Sequence, residues 1–332
     1  MPLTYVDDQL PGLTRRKLGR GWAYYDPKGQ RVTDRDEIDR LNAIGLPPAY
    51  VDAWFCPSPD GHLQATGVDA RGRKQYRYHT DFRAQQELAK YGRCPCFGRA
   101  LPLLRARVAA DLSSPGLHKD NIVAAVVRLL DIAHLRVGNE DYAKTNKSFG
   151  ATTLRTRHAE VGMRRLKLEY RGKSGKPQRL TIQGRSLARI VRRWQDLPGQ
   201  HLFQYLGEDG EARPVGSGDV NDYIREAMGD EFSAKHFRTW GASVIAFEAL
   251  IDAGDAGLGV KALLEPVAEA LGNTPAIARK SYVHPALLEL AKAGGGLDGL
   301  RLPRATRYLS RYERGLIAFL EELEAEAEAK AA

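Results

Sequence analysis

Beyond residue 90 the apolar positions recur at three- and four-residue steps, the period of helices with one buried face. Ile122, Val126, Leu129, Leu130 and Ala133 form one such stripe, and Gly138 stands where its C-terminal cap is expected. Leu187, Ile190, Val191 and Trp194 mark a second helix. A third is predicted from Ser233, with Trp240, Val244, Phe247 and Ile251 as its buried stripe. "LLEPVAEALG" predicts a helix closed by Gly272, and Thr274-Pro275 pairs an N-cap with the residue favoured at the first helical position. Asn273 therefore falls in a tight corner between two helices, and Tyr282 about two turns into the second. The end, "LIAFLEELEAEAEAKAA", reads as an acidic helix without special chemistry.

One stretch of this half has the strand period instead. In "LKLEYRGKSGKPQRLTI", Leu166, Leu168 and Tyr170 alternate with polar residues, a Gly-rich turn follows, and Leu180 and Ile182 resume the alternation. This is a β-hairpin with Lys173 at its tip. The first ninety residues differ again, being rich in Trp, Tyr and Gly, with short strand-like pieces around Trp22–Tyr25, Ala53–Cys56 and Gln75–Tyr78. "YGRCPCFGRALP" (Tyr91–Pro102) mixes Gly, Pro and Arg and reads as a linker. The expectation is an α+β protein of two domains. A small β-rich N-terminal domain covers 1–90, and a larger, mainly helical domain carrying the hairpin covers 91–332.

Composition sharpens this picture in two places. The 332 residues include three cysteines (Cys56, Cys94 and Cys96), too few and too irregular for a disulfide framework, and Cys94-Pro95-Cys96 lacks the gap of a zinc or redox hook. With no apolar run of about 18 residues and no apolar stretch at the start, a soluble cytoplasmic protein without a membrane segment is expected. The net charge is +9, but it is unevenly spread. Residues 1–90 carry 14 basic and 12 acidic side chains, 91–240 carry 26 and 16, and 241–332 carry 10 and 13. Within Thr153–Arg193 the imbalance reaches 13 basic against 2 acidic, too one-sided for an ordinary solvated face. A polyanionic partner is implied, most simply nucleic acid.

Several chemistries can be set aside. Gly172-Lys173-Ser174 resembles the end of a phosphate-binding loop, but the leading glycine would have to stand at Lys167, and a strand rather than a helix follows. The eight histidines show no metal-ligand spacing, and the carboxylates no pairing suited to magnesium. What is left is a set of residues that are each unremarkable alone: Arg136 in "LRVGNE" at the expected end of a helix, Lys173 at the hairpin tip, Arg238 in "KHFRTW", Asn273 in the corner and Tyr282 in "ARKSYVHP".

Taken together, an Arg, a hairpin Lys, K-x-x-R and a polar donor nine residues before a Tyr resemble the catalytic pattern of type IB DNA topoisomerases, most closely the poxvirus-like bacterial branch. The resemblance runs over roughly residues 20 to 290. It takes in "SFGATTLRTRH", "HFRTWGAS" and, in the first domain, "WFCPSPDGHLQATGVDARGRKQYRYH" (Trp54–His79), which is similar to that branch's DNA-gripping segment. The poxvirus enzymes carry His where this chain has Asn273, and Asn is familiar there among bacterial relatives. Either can donate a hydrogen bond to a phosphate oxygen, which argues against proton transfer at that position.

The resemblance implies a tyrosine-recombinase-like catalytic domain and a role for each residue. Tyr282 attacks a phosphodiester and is joined to the 3′ phosphate, Arg136, Arg238 and Asn273 hold the non-bridging oxygens, and Lys173 protonates the departing 5′ oxygen. It implies relaxation of both supercoil signs without ATP or metal, and hence no cofactor. It implies double-stranded DNA as the partner, clamped by a monomer, with Arg73, Gln75, Tyr76 and Tyr78 as N-terminal DNA contacts. The plainer reading of those four residues is an edge strand with large side chains. Two rival functions share these features. A tyrosine recombinase typically has His three residues before the second arginine, where this chain has Lys235, with His236 one place late. A DNA-binding protein with a dead site would lack some of the five catalytic positions, and all five are filled.

Overall fold

The computed structural model describes residues 2–331 apart from 116–117, 196–198, 208, 295–296 and 298–299. The chain divides into two compact units, Met1–Lys90 and Tyr91–Ala332.

In the first unit β1 (Thr14–Leu18) and β2 (Gly21–Tyr25) form an antiparallel ribbon. Helix α1 (Arg35–Ala43) follows, its first turn capped by Asp34, whose side chain accepts from the Asp36 N–H. Strands β3 (Val51–Phe55), β4 (Leu63–Val68) and β5 (Lys74–Tyr78) make an antiparallel sheet with β4 in the middle and β5 on an edge, and α2 (Thr80–Gly92) comes next. Leu13, Tyr24, Leu41, Leu46, Phe55 and Ala65 form the core of this unit. The sequence pattern misses β4 because it is buried nearly throughout, so "LQATGV" does not alternate. It misses β1 for the opposite reason, since "TRRKL" has one apolar residue and is held by its ladder to β2.

In the second unit the elements run α3 (Cys94–Ser113), α4 (Lys119–Ala133), α5 (Glu140–Asn146), β6 (Ala159–Val161), β7 (Arg165–Arg171), β8 (Pro177–Gln183), α6 (Arg185–Gln195), β9 (Gln204–Leu206), β10 (Ala212–Pro214), α7 (Ser217–Met228), α8 (Ala234–Ala253), α9 (Val260–Leu271), α10 (Pro275–Ser281), α11 (Pro285–Lys292) and α12 (Arg311–Ala331). Strands β7 and β8 pair as the sequence predicts, Leu166 opposite Ile182 and Leu168 opposite Leu180, and β6 adds a third, antiparallel strand. With small sheets and a larger helical unit, the chain is α+β. Among the described residues no helix is long and apolar enough to cross a membrane.

Three expectations need correction. The stretch read as a linker is helical: α2 runs to Gly92 and α3 starts at Cys94. Pro95 sits in the first turn, where its missing N–H costs nothing, and Gly98 faces Trp240 so closely that a Cβ there would lie 2.3 Å from the indole. Packing outweighed the local signal. Helix α4 ends at Ala133 rather than near Gly138, with His134 in the left-handed region (φ 50°), so Arg136 lies beyond the helix in a segment outside any helix or strand. The buried face of α8 is centred on Phe237, Arg238, Trp240, Ala246, Phe247 and Leu250, while Val244 and Ile251 are only partly covered. Helix α12 starts five residues ahead of the acidic stretch read from the sequence, and its first turn carries a buried carboxylate. Glu313 of α12 is buried and accepts from the Arg105 guanidinium at 2.7 and 3.0 Å, and Arg105 also grips Asp131 of α4 at 2.7 and 3.0 Å. Trp240 Nε1 donates to the same Glu313 carboxylate at 3.3 Å.

Candidate active site

Five of the nine sequence-predicted site residues meet in the second unit. Arg136 is held through its backbone. Its carbonyl accepts the Ala151 N–H at 2.8 Å, and Val137 accepts the Thr152 N–H at 2.7 Å. Gly150 makes this possible, because a Cβ there would stand 2.6 Å from the Arg136 carbonyl oxygen and from Gly138. The "SFGATT" stretch thus clamps the backbone on which Arg136 stands.

Arg238 projects from the second turn of α8 and is 5% exposed. Its Nη1 donates to the His134 carbonyl, freed by the left-handed end of α4, and its Nη2 donates to the Leu271 carbonyl at 3.0 Å, near the end of α9. Two helix C-termini therefore hold one guanidinium, an arrangement their partial negative charge favours. Arg238 Nε is buried without a hydrogen-bond partner among the described residues. His236, the neighbour with a place in the recombinase comparison, is buried beside Phe97 and accepts the Ser233 N–H at 3.0 Å, while Lys235 is exposed.

The corner between α9 and α10 forms as its residues predict. Gly272 caps α9 in the left-handed region (φ 60°), the Asn273 N–H donates to the Ala268 carbonyl at 2.9 Å, and Thr274 Oγ1 caps α10 by accepting from the Ile277 N–H. Asn273 Oδ1 accepts from Arg136 Nη2 at 2.8 Å, which leaves its Nδ2 donor buried and without a partner among the described residues. Tyr282 is the C-terminal cap of α10 and is partly buried against the core. Its ring lies under Arg238, with Cζ 4.7 Å from the centroid.

Lys173 opens the tight turn between β7 and β8 and is exposed. Together with Arg136, Arg238, Tyr170 and Gln178 it lines a cavity of about 190 Å³. The cavity is walled on the far side by Glu269–Leu271 of α9 and by Ala133–Leu135. The hairpin tip, both arginines and the α9 end thus share one hollow, with Asn273 joined to it through Arg136 and Tyr282 through Arg238.

The electrostatics have a clear sense. Burial alone pushes the Tyr282 phenol pKa up, but the charge and hydrogen bonding of Arg238, then of Arg136, outweigh it and hold the pKa below its ordinary value. Tyr170 in the same cavity goes the other way: burial raises it to about 12 against the pull of the same two arginines. Of two tyrosines near the guanidiniums, only Tyr282 is shifted toward phenolate. Sequence reasoning missed both Tyr170, which it read only as a strand residue, and Gln178, which it did not single out. Among the described residues no group of three or more His, Cys, Asp or Glu side chains could hold a metal ion.

The other four predicted residues belong to the first unit. Tyr76 and Tyr78 project from the edge strand β5 with 45% and 42% exposure and stack on each other, centroids 6.0 Å apart. Arg73 and Gln75 are engaged instead. Arg73 pairs with Asp69 at 2.6 Å, Gln75 Nε2 donates to the same carboxylate at 3.1 Å, and Arg73 above all holds the Asp69 pKa down to about 2. Exposed Tyr5, together with His62 and Phe82, extends the aromatic row beyond Tyr78, a surface that only the tertiary structure brings together.

Comparisons with known proteins place this geometry in a class. Residues 79–284 match the family described as eukaryotic DNA topoisomerase I, catalytic core, and residues 21–69 match the N-terminal domain of bacterial DNA topoisomerase IB. The chain belongs to the type IB DNA topoisomerases. It is 32% identical over 295 residues to DNA topoisomerase 1B of Acanthamoeba polyphaga mimivirus, spanning 85% of this chain and 88% of that protein. DNA topoisomerase 1 of Mycosarcoma maydis is 25% identical over 201 residues, which is 54% of this chain and 19% of that longer protein. Among solved structures, the XerH site-specific recombinase bound to its difH substrate is similar at 14% identity, covering 57% of this chain and 52% of that one. Its TM-score of 0.36 is too loose a likeness to define the fold.

Proposed function

We propose that the protein relaxes positive and negative supercoils in double-stranded DNA by cutting and resealing one strand through a 3′-phosphotyrosine, without ATP or metal. The observation that carries this reading is the meeting of Tyr282 with Arg238, Arg136 and, through Arg136, Asn273 in one site. The phenolate oxygen of Tyr282 attacks phosphorus as the bond to O5′ breaks. Arg136 and Arg238 meet the charge on the non-bridging oxygens with forked donors that do not lose their protons, and Asn273 Nδ2 adds a neutral donor. Lys173 gives its proton to O5′, which leaves as a hydroxyl.

The phosphotyrosine ester keeps the energy of the broken phosphodiester, so religation is the reverse reaction and needs no further energy source. Rotation of the free end in the interval releases supercoils of either sign. Arg73, Gln75, Tyr76 and Tyr78 act as the N-terminal contacts of a monomer that clamps the duplex, and the basic surplus within Thr153–Arg193 holds phosphates with little regard to sequence. The domain over 1–90 binds DNA and that over 91–332 is catalytic, as expected of a nucleoid-associated enzyme.

The test is covalent trapping. Denaturing the protein on a suicide duplex in chelator, without nucleotide, should give a protein–DNA adduct with the wild type and none with Tyr282→Phe, while duplex affinity stays within a few-fold. An adduct formed by Tyr282→Phe would assign the nucleophile to another residue and end this reading.

A further inference from the structure

The hairpin that carries Lys173 and the helix corner that carries Asn273 are far apart in sequence, yet one side chain touches both. Gln178 lies on β8 opposite Tyr170 and is partly buried. A Cβ placed on Gly172 would stand 2.9 Å from Gln178 Cγ. A Cβ placed on Gly272 would stand 2.3 Å from Gln178 Oε1 and 2.8 Å from Nε2. The stem of Gln178 therefore rests on Gly172 and its amide on Gly272. Gly172 immediately precedes Lys173, and Gly272 immediately precedes Asn273.

The two glycines are needed for different reasons. Gly272 adopts φ 60° as the cap of α9, so its backbone favours glycine in any case. Gly172 has φ −84° and ψ −164°, an extended conformation open to any residue, yet it is buried. What excludes a side chain at Gly172 is the stem of Gln178. Within the turn itself, the Gly172 N–H donates to the Lys176 carbonyl at 2.8 Å and the Gly175 N–H donates to the Gly172 carbonyl at 3.0 Å. Those bonds shape the tip but do not register it against the helices.

We infer that Gln178 is the positioning residue that seats the hairpin on the α9–α10 corner and so sets Lys173 in place relative to Asn273 and Tyr282. It does so by filling the space between two glycines. It is not assigned contact with the reacting atoms. The inference rests on the reading of Lys173 as proton donor to the leaving 5′ oxygen, and it adds a residue whose loss should resemble loss of that proton alone.

The experiment is single-turnover cleavage by the full chain of two duplexes, one ordinary and one with sulfur at the bridging 5′ position, which leaves without a proton. Duplex affinity and the thermal midpoint are measured alongside. Gln178→Ala should cleave ordinary DNA about 10–100-fold more slowly, the cost of a small misplacement of a reacting group, at unchanged affinity and midpoint. The sulfur duplex should restore most of that loss. Gly172→Ala, whose methyl strikes Gln178 without straining the backbone, should show the same selective defect. Adding Gly172→Ala to Gln178→Ala should cost little more, since the methyl then has nothing to strike. Wild-type cleavage by Gln178→Ala, an equal loss on both duplexes, or a lowered midpoint that accounts for the loss would each overturn the inference. If Lys173→Ala is itself not rescued by sulfur, the proton-donor reading fails and the inference falls with it. If Lys173→Ala is rescued and Gln178→Ala is not, only the positioning role fails.

Discussion

The Arg238 guanidinium lies over the ring of Tyr282, 4.7 Å from its centroid, and is itself fixed by the carbonyls of His134 and Leu271. A cation with so little freedom acts on its neighbour as a standing field rather than as a mobile counter-ion, and that has a measurable consequence for ionisation. Burial opposes the charged phenolate, whereas Arg238 and Arg136 favour it and prevail. The cleavage rate should therefore rise with pH as Tyr282 ionises and level off below the ordinary tyrosine value of about 10. In Arg238→Ala the burial stays and the main opposing charge goes, so the midpoint should move upward as the maximal rate falls. A single-turnover pH profile with an unmoved midpoint would show that Arg238 does not tune the nucleophile.

Lys173 is exposed at a hairpin tip, and as a general acid its value depends on the leaving group. A 5′ alkoxide needs a proton badly, whereas a thiolate, with a thiol pKa near 8.5, leaves well without one. Lys173→Ala should slow cleavage of ordinary DNA by about 10²–10⁴-fold. It should recover most of that loss on a duplex carrying sulfur at the bridging 5′ position. Arg136→Ala and Arg238→Ala should recover less, because the non-bridging oxygens still need them. Equal recovery in all three would reduce Lys173 to a phosphate contact.

Asn273 divides its two polar atoms, Oδ1 on Arg136 and Nδ2 buried without a partner among the described residues. Asn273→His keeps a donor and should retain substantial activity. Asn273→Ala should lose roughly 10²-fold, the usual cost of one transition-state donor. Asn273→Asp keeps an acceptor for Arg136 but replaces the donor with negative charge beside a phosphate, and it should be the slowest of the three. Rate constants for the covalent step, measured at saturating enzyme, rank them. Similar rates for the histidine and alanine variants would remove Asn273 from the transition state.

Glu313 and Asp131 share Arg105 inside the second unit. Burial raises the Glu313 pKa, but hydrogen bonding and charge from Arg105 more than offset this and hold it below the ordinary carboxylate value. The stabilisation is present above an unfolded pKa near 4.3 and is lost as pH falls through the lower folded value. Glu313→Gln at neutral pH should cost about 3 kcal/mol, the lower end for a broken buried pair because Asp131 remains. For a unit of this size that is roughly 6–12 °C in thermal midpoint. The wild-type and variant curves should converge in acid, and calorimetry across pH would reveal it if they do not.

Much of this molecule was legible from its residues because the informative signals were local. The β7–β8 hairpin follows from alternation around a Gly-rich turn, and the α9–α10 corner follows from Gly272 and the Thr274-Pro275 pair, since caps and turns depend on a few neighbouring residues. The spacing of the five site residues led to the family before any distance was known. The elements misread were those where burial outweighs local preference. Tyr91–Pro102 looks like a linker until Trp240 is seen packed on Gly98, and β4 does not alternate because both its faces are covered. The end of α4 moved because His134, not a glycine, takes the left-handed cap. Only the tertiary structure could decide how the site works as a unit. The carbonyls that hold Arg238 come from two helix ends far from it in sequence, and Gln178 joins two glycines a hundred residues apart. Contacts across such separations depend on how whole helices pack, and no sequence period or spacing encodes that.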